Sequence, residues 1–156
     1  MVSAARICKV RRAASALDGM GAALEPGRWN SEGRRMVYTS ECPALAFLEI
    51  LIHADGDLMP HYALIPLTFD DALVETVSPV ALPAGWKSLQ EPAWAPLQTI
   101  GTAWLDSLRT PVLRVPTVIV PDQFNYLLNP AHPDFVKIRI GSLQVFAPDS
   151  RLRSLP

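Results

Sequence analysis

Apolar positions along the chain come in short blocks whose period changes. Met36-Val37-Tyr38-Thr39 is rich in β-formers and follows the turn signal at Gly33, which predicts a strand. A helix is expected directly behind it: Pro43 suits a first helical position after Ser40-Glu41-Cys42, and Ala44 to His53 supplies good helix formers. His61 to Phe69 reads as extended, with Pro66 pointing to an edge strand or a bulge and Ala72 to Val77 as a neighbouring strand. Leu97, Ile100 and Trp104 recur at helical spacing after Pro96, so a second amphipathic helix is predicted to about Arg109 with its apolar stripe on the core. Further strands are expected at Val112 to Val115, Val118 to Val120, Phe135 to Ile140 and Leu143 to Phe146, parted by Pro, Asn and Gly signals. Ala81 to Pro96, rich in Pro and Trp, reads as a surface excursion. Strands outnumber helices without alternating regularly with them, which predicts an α+β fold.

Glu49 interrupts this pattern, because Ala44-Leu45-Ala46-Phe47-Leu48-Glu49-Ile50-Leu51-Ile52 is otherwise apolar. On a helical wheel Leu45, Leu48 and Ile52 share a face, with Phe47, Ile50 and Leu51 on adjoining ones. That leaves a narrow stripe of Cys42, Ala46, Glu49 and His53 on a helix apolar enough to be mostly buried. The stripe either touches solvent or carries a carboxylate at the wall of a cleft; burying a carboxylate that has neither a partner nor a function is costly.

Composition narrows the chemistry. With 49% apolar residues in a chain of 156, one compact domain over residues 1–156 is expected, burying roughly two thirds of its unfolded surface. Fourteen Lys+Arg against fifteen Asp+Glu give a net charge of −1, which offers no bulk attraction for a polyanion, so direct nucleic-acid binding is not expected. Cys8 and Cys42 form no CxxC pair and suggest neither zinc nor a disulfide framework. His53, His61 and His132 lack the spacing of a metal site, and no metal is expected. The segment MVSAARICKVRRAAS lacks the apolar core of a signal peptide, and no apolar run reaches the roughly 18 residues of a membrane span; a soluble cytoplasmic protein is expected, without a membrane partner. The fifteen prolines punctuate short elements and form no low-complexity tract.

Arg28 sits in Glu25-Pro26-Gly27-Arg28-Trp29-Asn30. It reads as a surface arginine or as a planar fork for phosphate oxygens, with Gly27 allowing a ligand near the backbone and Arg34 and Arg35 adding positive charge. Tyr38, at the end of its strand, reads as core packing or as a stacking platform. Asn125-Tyr126-Leu127-Leu128-Asn129-Pro130 reads as part of a Pro/Asn turn region after a strand. Gly19-Met20-Gly21 begins like a dinucleotide fingerprint, but Leu24 holds the position of its third glycine. Neither a G-x-S-x-G elbow nor a Walker A sequence occurs.

Taken together, these segments resemble the RES domain. The resemblance runs through Arg6-Ile7-Cys8, Ala16-Leu17-Asp18-Gly19, Gly27-Arg28-Trp29-Asn30, Val37-Tyr38, Ala44 to Glu49, Val115-Pro116-Thr117, Asn125 to Pro130 and Asp149 to Leu152, and covers nearly the whole chain. The family's serine is expected where this chain has Thr117, which keeps the hydroxyl but adds a methyl and a stiffer χ1. The resemblance implies a fold similar to the ADP-ribosyltransferases of the diphtheria-toxin type, with mixed or antiparallel sheets and helices packed on them. It further implies a bacterial toxin partnered by an Xre-like antitoxin, with NAD as substrate and not as cofactor. The outcomes it implies are NAD hydrolysis or phosphorolysis, or ADP-ribosylation of a cellular protein; a non-catalytic interaction module is the remaining alternative. Nicotinamide leaves on a nitrogen that already carries positive charge, so one carboxylate is enough and no general acid is needed. In that frame Glu49 stabilises the oxocarbenium charge or binds the ribose hydroxyls, and Arg28 holds a phosphate. Tyr38 stacks on the nicotinamide or its ribose, Thr117 hydrogen-bonds near that ring, and Asn125 is a further substrate contact. Oligomeric state is left open, a homo-oligomer being one option.

Overall fold

The computed structural model describes residues 1–54 and 58–154. Its architecture is α+β, as the sequence predicts, and is built on one strongly curled, mostly antiparallel sheet. The chain opens with strand β1 (Val2–Lys9), a stretch whose hydrophobic pattern predicts no element. Two buried pairs, Ala4-Ala5 and Ile7-Cys8, point to both faces of the sheet, so the stretch shows no period-2 alternation. A short helix α1 (Met20–Leu24) precedes β2 (Val37–Ser40), α2 (Pro43–His53) and β3 (Tyr62–Phe69). Then come β4 (Val74–Thr76), helix α3 (Ala95–Ser107), and the hairpin of β5 (Val112–Pro116) and β6 (Phe124–Leu128). Two short strands, β7 (Arg139–Ile140) and β8 (Gln144–Phe146), complete the sheet.

The strand order is β4-β5-β6-β2-β1-β3-β7, with β8 also on β3; β4 and β5 are the parallel pair. Two halves meet at one point. β1 and β3 pair along eight residues, from Val2 opposite Phe69 to Lys9 opposite Tyr62, and β2 pairs with β6 along four. Between the halves, β1 and β2 share the single pair Ala5 and Ser40. Where the ladder parts, Arg6 replaces it: Nη1 donates to the Tyr38 carbonyl at 2.6 Å and Nε to the Ala16 carbonyl at 3.1 Å.

Helices α2 and α3 lie side by side on the same face, because directly opposed strand residues share a face. Over one half, Ala46, Phe47, Ile50 and Leu51 of α2 pack on Ala5, Ile7 and Tyr62. Over the other, Leu97, Trp104 and Leu105 of α3 pack on Leu113, Val115 and Leu127. The opposite face is closed by a second core containing Phe69, Val112, Tyr126, Leu128 and Ile138.

Several expectations need correction. Pro66 does not mark an edge: β3 is flanked on both sides, by β1 and by β7 and β8. Its missing N–H faces the gap where one flanking strand ends and the next begins, while its carbonyl accepts from Gly141 N at 2.8 Å. The strand expected at Ala72 to Val77 is only Val74–Thr76, and its neighbour is β5 instead of β3. Val118 to Val120 is the loop of the β5–β6 hairpin, closed by Thr117 N on the Gln123 carbonyl at 3.1 Å. The region from Asn125, expected as a turn, is the interior strand Phe124–Leu128, with Asn125 second in the strand and Asn129 just beyond it. Phe135 to Ile140 is mostly a 3-10 turn, with a strand only at Arg139–Ile140. Helix α2 is less buried than its composition suggests: Leu48 is 36% and Ile52 53% exposed, and the core side includes Ala46, which the helical wheel places on the polar stripe.

Candidate functional site

Between α2 and α3 the sheet carries Tyr38, Ser40 and Asn125 on one face, Ser40 buried and the other two half-buried, and the candidate residues gather around them. Period 2 puts Tyr38 and Ser40 on the same side of β2, and the β2–β6 register sets Ser40 opposite Asn125. From α2, Glu49 reaches these residues: its Oε1 accepts from Asn125 Nδ2 at 2.6 Å and from Thr117 Oγ1 at 3.3 Å. Thr117 is buried at the end of β5, and its Oγ1 also accepts from Ile119 N at 3.2 Å, which orients its proton toward the carboxylate. The Thr117 hydroxyl therefore occupies a hydrogen-bonding position beside Glu49. Ser40 Oγ donates to Asn125 Oδ1 at 2.8 Å. Among the described residues no donor reaches Glu49 Oε2.

Arg28 enters from the turn that precedes β2. Asn30, fully buried, organises that turn: Nδ2 donates to the carbonyls of Ala22 at 2.7 Å and Arg34 at 3.1 Å, while Oδ1 accepts from Gly27 N at 3.0 Å. Tyr38 locks it to the sheet, donating through Oη to Asn30 Oδ1 at 2.7 Å and accepting from Trp29 N at 3.1 Å. The need for glycine at 27 is the close approach of Tyr38, since a Cβ there would lie 2.6 Å from the phenol oxygen. Helix α3 holds the other side: Gln98 Nε2 donates to the Gly27 carbonyl at 2.9 Å, and Trp29 packs beneath Leu97 and Trp104.

The Arg28 guanidinium is clamped by the segment expected to be a surface excursion. Nη1 donates to the carbonyls of Trp86 and Ser88, both at 2.8 Å, and the Trp94 ring lies 5.0 Å from the guanidinium carbon. Trp94 Nε1 donates to the same Ser88 carbonyl at 3.1 Å. The stretch between Pro83 and Trp94 is thus a strap over the site. Burial lowers the pKa of Arg28, opposed by the attraction of Glu49 and then of Tyr38. Burial raises the Tyr38 phenol, with the backbone N–H groups of Trp29 and Asn30 pulling the other way. These mutual fields place Arg28, Tyr38 and Glu49 within electrostatic reach of one another.

Arg34 adds no free charge to the site, being paired with Asp106 of α3. His132 has a structural role, in which Nδ1 accepts from Asp134 N at 2.9 Å and Nε2 lies 3.0 Å from the Leu108 carbonyl at the end of α3. Among the described residues no group of three or more His, Cys, Asp or Glu is arranged to hold a metal ion, and no helix is long and apolar enough to cross a membrane. Sequence reasoning singles out neither Ser40 nor Trp86, Ser88, Trp94 and Gln98. Ser40 had a usable signal, standing two residues after Tyr38 on the same strand face; Trp86 and Ser88 act through backbone carbonyls, which carry no residue-type signal, while Trp94 and Gln98 act through side chains ordinary for a loop and a helix.

Residues 3–151 match the RES domain. The chain is 38% identical over 140 residues to the Prs ADP-ribosylating toxin of Sphingobium sp. (strain YBL2), covering 87% of this chain and 86% of that protein. It is 36% identical over 151 residues to Toxin Res of Yersinia enterocolitica, covering 95% and 97%. Among solved structures, the M. tuberculosis MbcT-MbcA toxin-antitoxin complex contains a chain of the same fold, with a TM-score of 0.76 at 17% identity over 99% of this chain and 90% of that one. The extent and identity of these matches establish that the chain belongs to the RES-domain toxin family.

Proposed function

We propose that this protein is the toxin of a toxin–antitoxin pair and that it destroys NAD by cleaving the bond between nicotinamide and ribose. The observation that carries the reading is that an oriented carboxylate and an anchored guanidinium stand within electrostatic reach of one another beside Tyr38. Nicotinamide departs with the bonding electrons and becomes neutral, so the main demand on the site is to stabilise positive charge on the ribose. Glu49 supplies the negative charge. Arg28 uses Nη1 to anchor itself to the strap, and among the described residues no acceptor takes Nη2 or Nε, which suits them to a phosphate of the pyrophosphate. Tyr38 and Thr117 lie beside these two groups, and in this reading the half-buried Tyr38 ring stacks on the substrate. In hydrolysis, water oxygen bonds to the ribose carbon, a proton is released, and the products are nicotinamide and ADP-ribose; phosphate in place of water gives ADP-ribose 1″-phosphate.

Transfer of ADP-ribose to a protein is the second reading, favoured by the name of the Sphingobium relative, an ADP-ribosylating toxin. Purified protein incubated with labelled NAD separates the outcomes. Free ADP-ribose supports hydrolysis, phosphate-dependent ADP-ribose 1″-phosphate supports phosphorolysis, and label on protein supports transfer. No nicotinamide release under any of these conditions would leave a non-catalytic module. Glu49→Gln and Arg28→Ala are each expected to lower turnover about a hundredfold or more, as removal of one preorganised charge-stabilising group does. The proposed partner is an Xre-like antitoxin, in keeping with the toxin-antitoxin complex that shares the fold. Co-expression with such a protein should restore cellular NAD.

A further inference from the structure

Glu49 receives both of its hydrogen bonds on one oxygen, and the arrangement that makes this possible extends back into the sheet. Asn125 has chemically opposite ends. Its amide nitrogen faces the carboxylate at 2.6 Å, and its oxygen is held from behind by Ser40 Oγ at 2.8 Å. Turned over, the amide would set an oxygen against the carboxylate, two acceptors at hydrogen-bond distance. Ser40 is 3% exposed, so its hydroxyl is largely shielded from solvent, and its spacing from Asn125 is fixed by their direct pairing across β2 and β6. Ser40 is also the residue through which β2 pairs with β1. The carboxylate on α2 is therefore referenced, through two side chains, to the junction of the two half-sheets.

We propose that Ser40 and Asn125 are positioning residues: the relay from the Ser40 hydroxyl through the Asn125 amide pins Glu49 Oε1 to the sheet and leaves Oε2 as the oxygen that meets the ribose. Asn125, expected from the sequence to touch substrate, donates one N–H of its amide to Glu49. Thr117 adds a second donor to the same oxygen. Without Ser40, only the carboxylate holds Asn125, and the amide can swing with it. The relay has meaning for catalysis only if the NAD-cleaving reading holds, so its test includes a measurement that needs no NAD.

Nicotinamide release is measured for the parent, Ser40→Ala, Asn125→Ala and the double variant. Asn125→Ala should lower kcat about a hundredfold and Ser40→Ala about tenfold, with KM within about threefold and the double variant no worse than Asn125→Ala alone. A Ser40→Ala loss that persists undiminished in the Asn125→Ala background overturns the relay, as does a rise in KM at unchanged kcat. Should Ser40→Ala not fold, Ser40→Cys, similar in volume and a poor donor, replaces it with the same expected loss. In parallel, the Asn125 side-chain amide is followed by NMR. A proton held by a carboxylate should stand downfield of its twin in the parent, and Ser40→Ala should narrow the separation; an unchanged pair of signals overturns the proposal. If the parent releases no nicotinamide, the NAD reading fails while the NMR comparison still decides the relay.

Discussion

A carboxylate can stabilise charge at a reacting carbon only if its orientation is fixed before substrate arrives, and a guanidinium can hold phosphate only if its fork is anchored. Glu49 and Arg28 meet these demands through different residues. Tyr38 serves them indirectly, since its phenol ties the Gly27 to Asn30 turn to β2. Tyr38→Phe should lower unfolding free energy by about 1–3 kcal/mol in urea, because it leaves the buried Trp29 N–H without its acceptor. Its pH dependence has a definite sign. Burial holds the folded phenol above its ordinary value of 10.0, so below that pH the phenol is neutral in both states and its contribution is fully present. As pH rises past 10.0 the unfolded chain alone loses the proton, and stability falls by up to about 1.4 kcal/mol per pH unit. Tyr126 is shifted in the same direction by burial, so Tyr38→Phe should flatten the alkaline slope without abolishing it. Of these residues only Glu49 announced itself physically in the sequence, as one charge in an apolar helix. Arg28 and Tyr38 needed the RES resemblance, because a turn arginine and a strand tyrosine are ordinary. Ser40 reads as part of the turn signal before a helix start, and only its place two residues after Tyr38 on the same strand face points to the site.

Helix α2 was readable from Pro43 and the run of helix formers behind it, and α3 from apolar residues at helical spacing after Pro96. β1 and β6 were not, for opposite reasons: β1 is small and apolar on both faces, and β6 begins in a segment whose asparagines resemble turn residues. The contact between α3 and the Arg28 turn was equally hidden. Gly101 lies against the Trp29 backbone, and a Cβ there would overlap the Trp29 carbonyl oxygen. A glycine inside a helix is unfavourable by roughly 1 kcal/mol on propensity alone, so Gly101→Ala ought to stabilise an isolated helix. Here it should instead destabilise the protein by about 3 kcal/mol, by forcing α3 off the turn. Thermal denaturation decides the sign, and a higher Tm would mean that the helix and the turn are not in this contact. Nicotinamide release should fall with stability, since Gln98 and the strap approach Arg28 from the same side.

The two half-sheets, each roofed by one helix, meet at the Ala5 and Ser40 pair, and the candidate site lies over that junction. Arg6 holds the junction where the ladder opens, and desolvation lowers its pKa there. Arg6→Leu strands the Tyr38 and Ala16 carbonyls and should lower unfolding free energy by about 1–3 kcal/mol for each carbonyl that remains buried. Hydrogen exchange should show earlier opening between β1 and β2 than within β1 and β3; uniform protection would argue against a junction held by Arg6. The α+β class could be read from the balance of elements, but the join could not, because a one-residue pairing leaves no pattern along the chain. The same sheet carries a safeguard at its borders. Folded chains recruit one another into fibres through long open edges, which present a row of unpaired backbone groups. One border here is β4, three residues long, and the other is divided opposite Pro66 between a strand of two residues and one of three. Ile140 and Val145 are exposed on that divided border, yet an approaching strand finds at most three consecutive positions to pair with. The interruption at Pro66 thus lets apolar side chains face solvent on a border that resists growth into cross-β stacks.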